Sequence, residues 1–329
     1  MIPIGRSVAQ LAGYAPALPT PFDTDDNVDA AALEQLCHDQ IRDGAAALVV
    51  CGTTGEAPTL TPREHERIIR IAVGAASGRV PVIAGAGSNS TSHAVALARQ
   101  AEAAGADALL CVTPYYNKPT QAGLIAHFSA IAQSTGLPVI LYDVPSRTAC
   151  GLTDETVARL AEMPQIIGLK DATGDVARSA RLRRQVKTEF RLLSGDDATA
   201  PAFLAFGGHG CISVTSNIAP GLCRSLYLAC RQGQVGRAEQ LTAAAAKLTA
   251  ALFCESNPVP VKYALSLLGL MSARVRLPLV GLLPDSKAKI AAVLAQMSAG
   301  YSDDMIVKFP AAHGTAAPAV HADRSQPAA

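Results

Sequence analysis

Lys170 closes the apolar run QIIGLK (165–170), so an amine stands at the end of a segment that is otherwise built to be buried. A backbone tied into a sheet aims such an amine into a pocket, where desolvation and a nearby cation lower its pKa. A neutral amine attacks a carbonyl carbon and forms a Schiff base. A strand-end lysine standing alone reads equally well as a surface or ion-paired residue, so its neighbours decide between the two. Tyr142 ends a second apolar run, PVILY (138–142), and its phenol supplies the proton traffic that imine chemistry requires. A phenol is a weak base at neutral pH and needs other hydroxyls to share its proton. Thr53 and Thr54 in GTTGE (52–56) and Tyr116 in PYYN (114–117) offer them. Threonines in a glycine-flanked turn also serve as local anchors, and tandem Tyr115-Tyr116 also serves as interface packing. Gly52 and Gly55 let backbone N–H groups approach a carboxylate, with Glu56 anchoring the loop. Arg147, in YDVPSRT (142–148), carries a rigid charged fork suited to a second carboxylate, although an exposed arginine in a turn is the ordinary alternative.

Residues this far apart in sequence meet only if a scaffold gathers the ends of several strands. The run ending at APALP (15–19) is the first strand, followed by a helical pattern near 28–43 in which Leu33, Leu36, Cys37 and Ile41 recur at helical spacing. The alternation continues through AALVV (46–50), a helix after Thr61-Pro62, VPVIAG (80–85), a helix from about Thr91, and DALLCV (107–112). It goes on through a helix after Pro119, PVILY, a helix after Thr153, QIIGLK, a helix near 175–187, EFRLLSG (189–195) and GCISVT (210–215). Short apolar strands separated by helices imply parallel pairing with both sheet faces covered. Eight such units predict an α/β fold, a (β/α)8 TIM barrel, over a doubly wound open sheet. In a barrel the C-terminal strand ends converge on one opening, which is where Thr53, Tyr116, Tyr142 and Lys170 fall. The helical patterns of 219–303 predict a C-terminal helical extension that completes and flanks the 10–218 barrel core. The Ala-, Pro-, His- and Ser-rich stretch 304–329 predicts a disordered tail.

Composition excludes several function classes. Of 329 residues, 49% are hydrophobic but only 4% aromatic with no Trp, so the core is aliphatic. With 28 Lys plus Arg against 27 Asp plus Glu, no net field attracts nucleic acid or an anionic membrane. No CxxC pair or zinc spacing occurs among the eight cysteines, His65-Glu66 lacks the second histidine of HExxH, and Gly85-Ala86-Gly87 lacks the full dinucleotide fingerprint. No metal or organic cofactor is expected. His209, flanked by glycines, reads as a loop-stabilising residue rather than a substrate contact. There is no apolar run long enough to cross about 30 Å of hydrocarbon and no leader pattern, so a cytoplasmic location is expected.

Taken together, GTTGE (52–56), VTPYYNKP (112–119), YDVPSRT (142–148), GLKDATGD (168–175), SGDDA (194–198) and GGHGCISVTSN (207–217) resemble the dihydrodipicolinate synthase family. That family lies in the superfamily of pyruvate-dependent class I aldolases and N-acetylneuraminate lyase. The resemblance runs from about residue 10 to 300 with the motifs in order. It implies that Lys170 captures pyruvate as a Schiff base, with Tyr142, Thr53 and Tyr116 forming a proton relay. It also implies that Thr54 cradles the pyruvate carboxylate, that Gly195 and Ile212 line the imine pocket, and that Arg147 grips the carboxylate of aspartate semialdehyde. The activity implied is condensation of the two substrates to 4-hydroxy-tetrahydrodipicolinate, in diaminopimelate and lysine synthesis. The assembly implied is a tight dimer in which Tyr116 reaches the neighbouring subunit's site, paired into a tetramer.

Four departures, at two places, bear on these expectations. Asp143 stands where the family more often has asparagine, and Ala149 where it has glycine; a carboxylate there is expected to compete for Arg147 or to raise the pKa of Tyr142. At the family's lysine-feedback site His65, Asn89 and Tyr115 are retained, but His93 and Ala57 replace a glutamate and a serine, which predicts weak or absent inhibition by lysine. The competing activities are those of sister aldolases acting on 2-keto-3-deoxy sugar acids or hydroxy-oxoglutarate, whose second substrates do not call for an arginine placed like Arg147. An inactive barrel kept as a binding or structural protein is the remaining alternative.

Overall fold

The computed structural model describes residues 11–300. The expected tail at 304–329 lies outside them. Strands and helices alternate as β1 Gly13–Pro16, α1 Ala30–Arg42, β2 Leu48–Val50, α2 Pro62–Ala76, β3 Val82–Gly85, α3 Thr91–Ala103, β4 Ala108–Val112 and α4 Gln121–Gln133. The second half runs β5 Val139–Asp143, the single turn α5 Pro145–Thr148, α6 Asp154–Leu160, β6 Ile166–Asp171, α7 Arg178–Arg183, β7 Arg191–Ser194, α8 Ala200–Ala205 and β8 Gly210–Ser213. Four further helices follow: α9 Pro220–Arg231, α10 Val235–Leu252, α11 Val259–Leu267 and α12 Pro284–Gly300.

The strands are parallel in the order β1-β8-β7-β6-β5-β4-β3-β2. The seam between β1 and β2 is closed by Ala46 N–H to Tyr14 O (2.8 Å), Leu18 N–H to Val49 O (2.9 Å) and a parallel bridge Ala17–Val49. The expected (β/α)8 barrel with C-terminal helices is therefore the fold observed.

Period-two alternation divides each strand between two cores. Val49, Ile83, Leu110, Ile140, Leu193 and Ile212 point into the lumen. Their strand neighbours Leu48, Leu109, Leu141, Leu169 and Leu192 join the larger core between sheet and helices, which also takes in Leu222, Leu248 and Leu265 of α9, α10 and α11. Helix starts are set by side chains that satisfy free N–H groups: Asp29 for α1, Ser90 for α3, Thr120 for α4, and a reciprocal Thr61/Glu64 capping box for α2. The helix expected near 175–187 is confined to Arg178–Arg183, because Thr173 and Asp175 spend their side chains on the backbone N–H groups of Asp175 and Ala177 and hold a turn there. Among the described residues no helix is long and apolar enough to cross a membrane.

Candidate active site

Strands β5 and β6 carry the two central side chains. A register shift at Val139/Ile140 sets Tyr142 opposite Lys170, and both face inward. Lys170 is buried, and its Nζ lies 4.2 Å from the centroid of the Tyr142 ring. The amine is thus held out of bulk water against a polarisable face, at the strand ends where the barrel opens. Gly195, just beyond β7, makes room for it: a Cβ at this position would sit 2.9 Å from Lys170 Cε and 3.1 Å from Cγ. Its N–H donates to Asp171 O. Ile212 of β8 is buried in the lumen near the same end.

The GTTGE loop follows β2. Gly85 on the neighbouring strand admits it, since a Cβ there would overlap the Cys51 carbonyl. Glu56 takes a left-handed backbone (φ 54°) and is fully buried, accepting from Lys262 Nζ at 2.6 Å and from the Arg276 backbone N–H at 2.9 Å. The expected anchor is present, and its partners lie in the C-terminal extension. Burial pulls the Lys262 ammonium down to about 8 against the opposing pull of Glu56. Stranding one member of such a buried pair costs about 3–5 kcal/mol, so the loop is firmly held.

Within this loop Thr54 is buried and Thr53 half-buried. Thr54 Oγ1 accepts from Asn257 Nδ2 at 2.9 Å, and the Asn257 carbonyl accepts from Arg147 Nη2 at 3.3 Å. Asn257 therefore joins the two groups suited to carboxylates, and among the described residues its buried Oδ1 has no hydrogen-bond partner. It was not among the residues expected from sequence; only its distance in the fold reveals it, since no local motif marks it.

Tyr116 is placed differently from the rest. It has a positive φ of 73° and is 89% exposed. Among the described residues, the hydroxyls of Tyr142, Thr53 and Tyr116 form no hydrogen bond to one another within the chain. The chain alone brings Lys170, Tyr142, Thr54, Gly195 and Ile212 to one opening and leaves Tyr116 facing outward.

Asp143 is where the structure departs from expectation. Tyr142 points inward, so Asp143 points outward. Its Oδ2 accepts from Arg178 Nη1 at 2.8 Å and from the Leu152 N–H at 3.1 Å. Burial raises its pKa while Arg178 opposes the rise. Asp143 does not compete for Arg147.

Two further groups secure the frame. Asp197 accepts from Ser213 Oγ and from the N–H groups of Val214 and Thr215, fixing the end of β8, and burial raises its pKa. His209 takes a hydrogen bond from the Leu192 N–H on Nδ1 and lies beside Arg183, at the opposite strand ends from Lys170; burial and the neighbouring guanidinium groups pull it down to about 4. Its role in loop stabilisation is the one expected. All eight cysteines are free thiols, five of them buried.

Known proteins resemble this chain along nearly its whole described length. The model of the dihydrodipicolinate synthetase family matches residues 10–297. A 4-hydroxy-tetrahydrodipicolinate synthase from Cereibacter sphaeroides is 51% identical over 282 residues, covering 86% of this chain and 97% of its own. One from Hyphomonas neptunium is 51% identical over 290 residues, covering 88% and 98%. Among solved structures, a chloride-inhibited dihydrodipicolinate synthase from Acinetobacter baumannii complexed with pyruvate superposes with a TM-score of 0.85 at 44% identity, covering 87% of this chain and 99% of that one. With a barrel of this topology, a lysine and tyrosine paired at its opening and agreement of this extent, the chain belongs to the dihydrodipicolinate synthetase family.

Proposed function

We propose that this chain condenses pyruvate with (S)-aspartate 4-semialdehyde to 4-hydroxy-tetrahydrodipicolinate through a Schiff base on Lys170, a lyase reaction of diaminopimelate and lysine synthesis. The observation that carries the assignment of residues is the cross-strand pair: Lys170 and Tyr142 are register partners, with Lys170 Nζ 4.2 Å from the centroid of the Tyr142 ring. Relatives named for this activity, half identical over nearly their full length, support the reaction itself.

The Lys170 amine adds to C2 of pyruvate and water leaves, giving an iminium. The iminium draws electron density from the methyl C–H bonds, and loss of one methyl proton leaves an enamine. Tyr142, relayed through Thr53 and Tyr116, moves that proton and the one gained by the aldehyde oxygen as the enamine carbon attacks the aldehyde carbon. The substrate's own amine then displaces Lys170 at C2, which closes the ring and restores the free lysine. Thr54 and the loop N–H groups hold the pyruvate carboxylate, Gly195 and Ile212 shape the imine pocket, and Arg147 holds the carboxylate of the semialdehyde. No metal or organic cofactor enters these steps.

The 89% exposure of Tyr116 favours a tight dimer in which it completes the partner's relay, with two such dimers pairing into a tetramer in the cytoplasm. Feedback by lysine is weak or absent, given His93 and Ala57.

The test is kcat/KM at fixed pyruvate for aspartate semialdehyde against sugar-acid aldehydes, with products identified by mass. A large preference for the semialdehyde is expected. Preference for an aldehyde lacking its carboxylate and amine would retain the Lys170 chemistry and transfer the chain to a sister activity.

A further inference from the structure

The outward faces of β5 and β6 carry a charged cluster beside the apolar outer core. Each central residue is followed by an aspartate, Asp143 after Tyr142 and Asp171 after Lys170, and the aspartates are themselves register partners. One buried guanidinium serves both: Arg178 Nη1 lies 2.8 Å from Asp143 Oδ2 and 3.4 Å from Asp171 Oδ2. The remaining nitrogens of Arg178 reach Asp154 Oδ1 at 2.9 Å and the Leu152 carbonyl. Thr173 satisfies the other Asp171 oxygen through its N–H and hydroxyl.

Burying two carboxylates around one arginine, with the half-buried Asp154 beside them, is a poor way to gain stability, because desolvation offsets most of the attraction; the attested use of such clusters is to fix register. Here the register fixed is that of the chemistry. If β5 and β6 slid or spread, one of the two Nη1 contacts would break. The aspartates are bonded directly to Tyr142 and Lys170, so motion at one pair passes to the other within a single Cα step of about 3.8 Å.

We infer that Arg178 is a positioning residue that sets the Tyr142-Lys170 geometry from outside the barrel by holding Asp143 and Asp171 on one guanidinium. The inference rests on the Schiff-base reading above. Its effect falls on proton transfer rather than on imine formation, since the flexible lysine arm reaches C2 of pyruvate from a range of strand positions whereas transfer of the methyl proton demands a fixed distance to the phenol.

Two variants separate these steps. Arg178→Lys keeps the charge and loses the fork. The triple variant Arg178→Met, Asp143→Asn, Asp171→Asn removes the tie without leaving buried carboxylates unpaired. Each is compared with the parent for imine trapped by borohydride in the presence of pyruvate and for exchange of the pyruvate methyl protons in deuterated water. Trapping by the parent tests the Schiff-base reading by itself, and its failure there would be the failure of that reading. In the folded variants, trapped imine is expected to remain near the parental amount, while methyl exchange per trapped imine falls on the order of 10- to 100-fold, the cost of misplacement by about 1 Å. Methyl exchange per trapped imine equal to the parent's, whether both rates hold or both fall together, would overturn the inference.

Discussion

Gly195 faces the Lys170 side chain so closely that a Cβ would stand 2.9 Å from Lys170 Cε, and also 2.9 Å from the Ala172 Cβ. The lysine arm therefore runs through a channel that only glycine leaves open. Gly195→Ala is expected to overpack the site by about 1–3 kcal/mol and to push the amine out of line. The rate of pyruvate-dependent borohydride inactivation should fall on the order of tenfold or more. A parental rate would mean that the arm reaches the pocket by another path.

Tyr116 tests the assembly. At 89% exposure in the chain it contributes little to the fold, so Tyr116→Phe should shift stability by less than about 0.5 kcal/mol. Its turnover should nevertheless drop on the order of 100-fold. Mixing Tyr116→Phe with Lys170→Ala under conditions that exchange subunits should restore activity, because one site of the hybrid dimer then holds both residues. Absence of any recovery would place Tyr116 and Lys170 of one site on the same subunit.

How much of this was legible in the sequence follows from which contacts are local. The strands of the barrel were readable because parallel strands covered on both faces are written as short aliphatic runs, and QIIGLK and PVILY keep their central residues at strand ends. Boundaries were less so: EFRLLSG contracts to Arg191–Ser194 because Phe190 N–H turns back to Lys187 O. The expected competition of Asp143 for Arg147 does not occur, because strand alternation sends Asp143 outward to Arg178 once Tyr142 faces in. Asn257, Lys262 and Arg178 carried no local signal. Asn257 meets Thr54 across 203 residues and Lys262 meets Glu56 across 206, so only the closed barrel with its C-terminal helices brings them together.

Acid sensitivity should report the capping box of α2. Hydrogen bonds from Arg276 hold Glu64 down to about 2 from an ordinary 4.5, with further bonds from Thr61. A carboxyl depressed in the folded state contributes stability that is fully present above 4.5 and is lost as pH falls through 4.5 towards 2. Thermal melts of Glu64→Gln should therefore show a lower Tm than the parent at pH 7, with the gap closing across that window. A gap that stayed constant down to the lower limit would show that the Glu64 charge contributes nothing.

The central claim is that Lys170 is the amine that captures pyruvate. It is tested most directly by treating the protein with pyruvate and borohydride, measuring the intact mass and mapping the modified peptide. One reduced pyruvate adduct per chain is predicted, located on Lys170 and absent from Lys170→Ala. An adduct on another lysine, or an unmodified chain under conditions where the enzyme turns over, would contradict it.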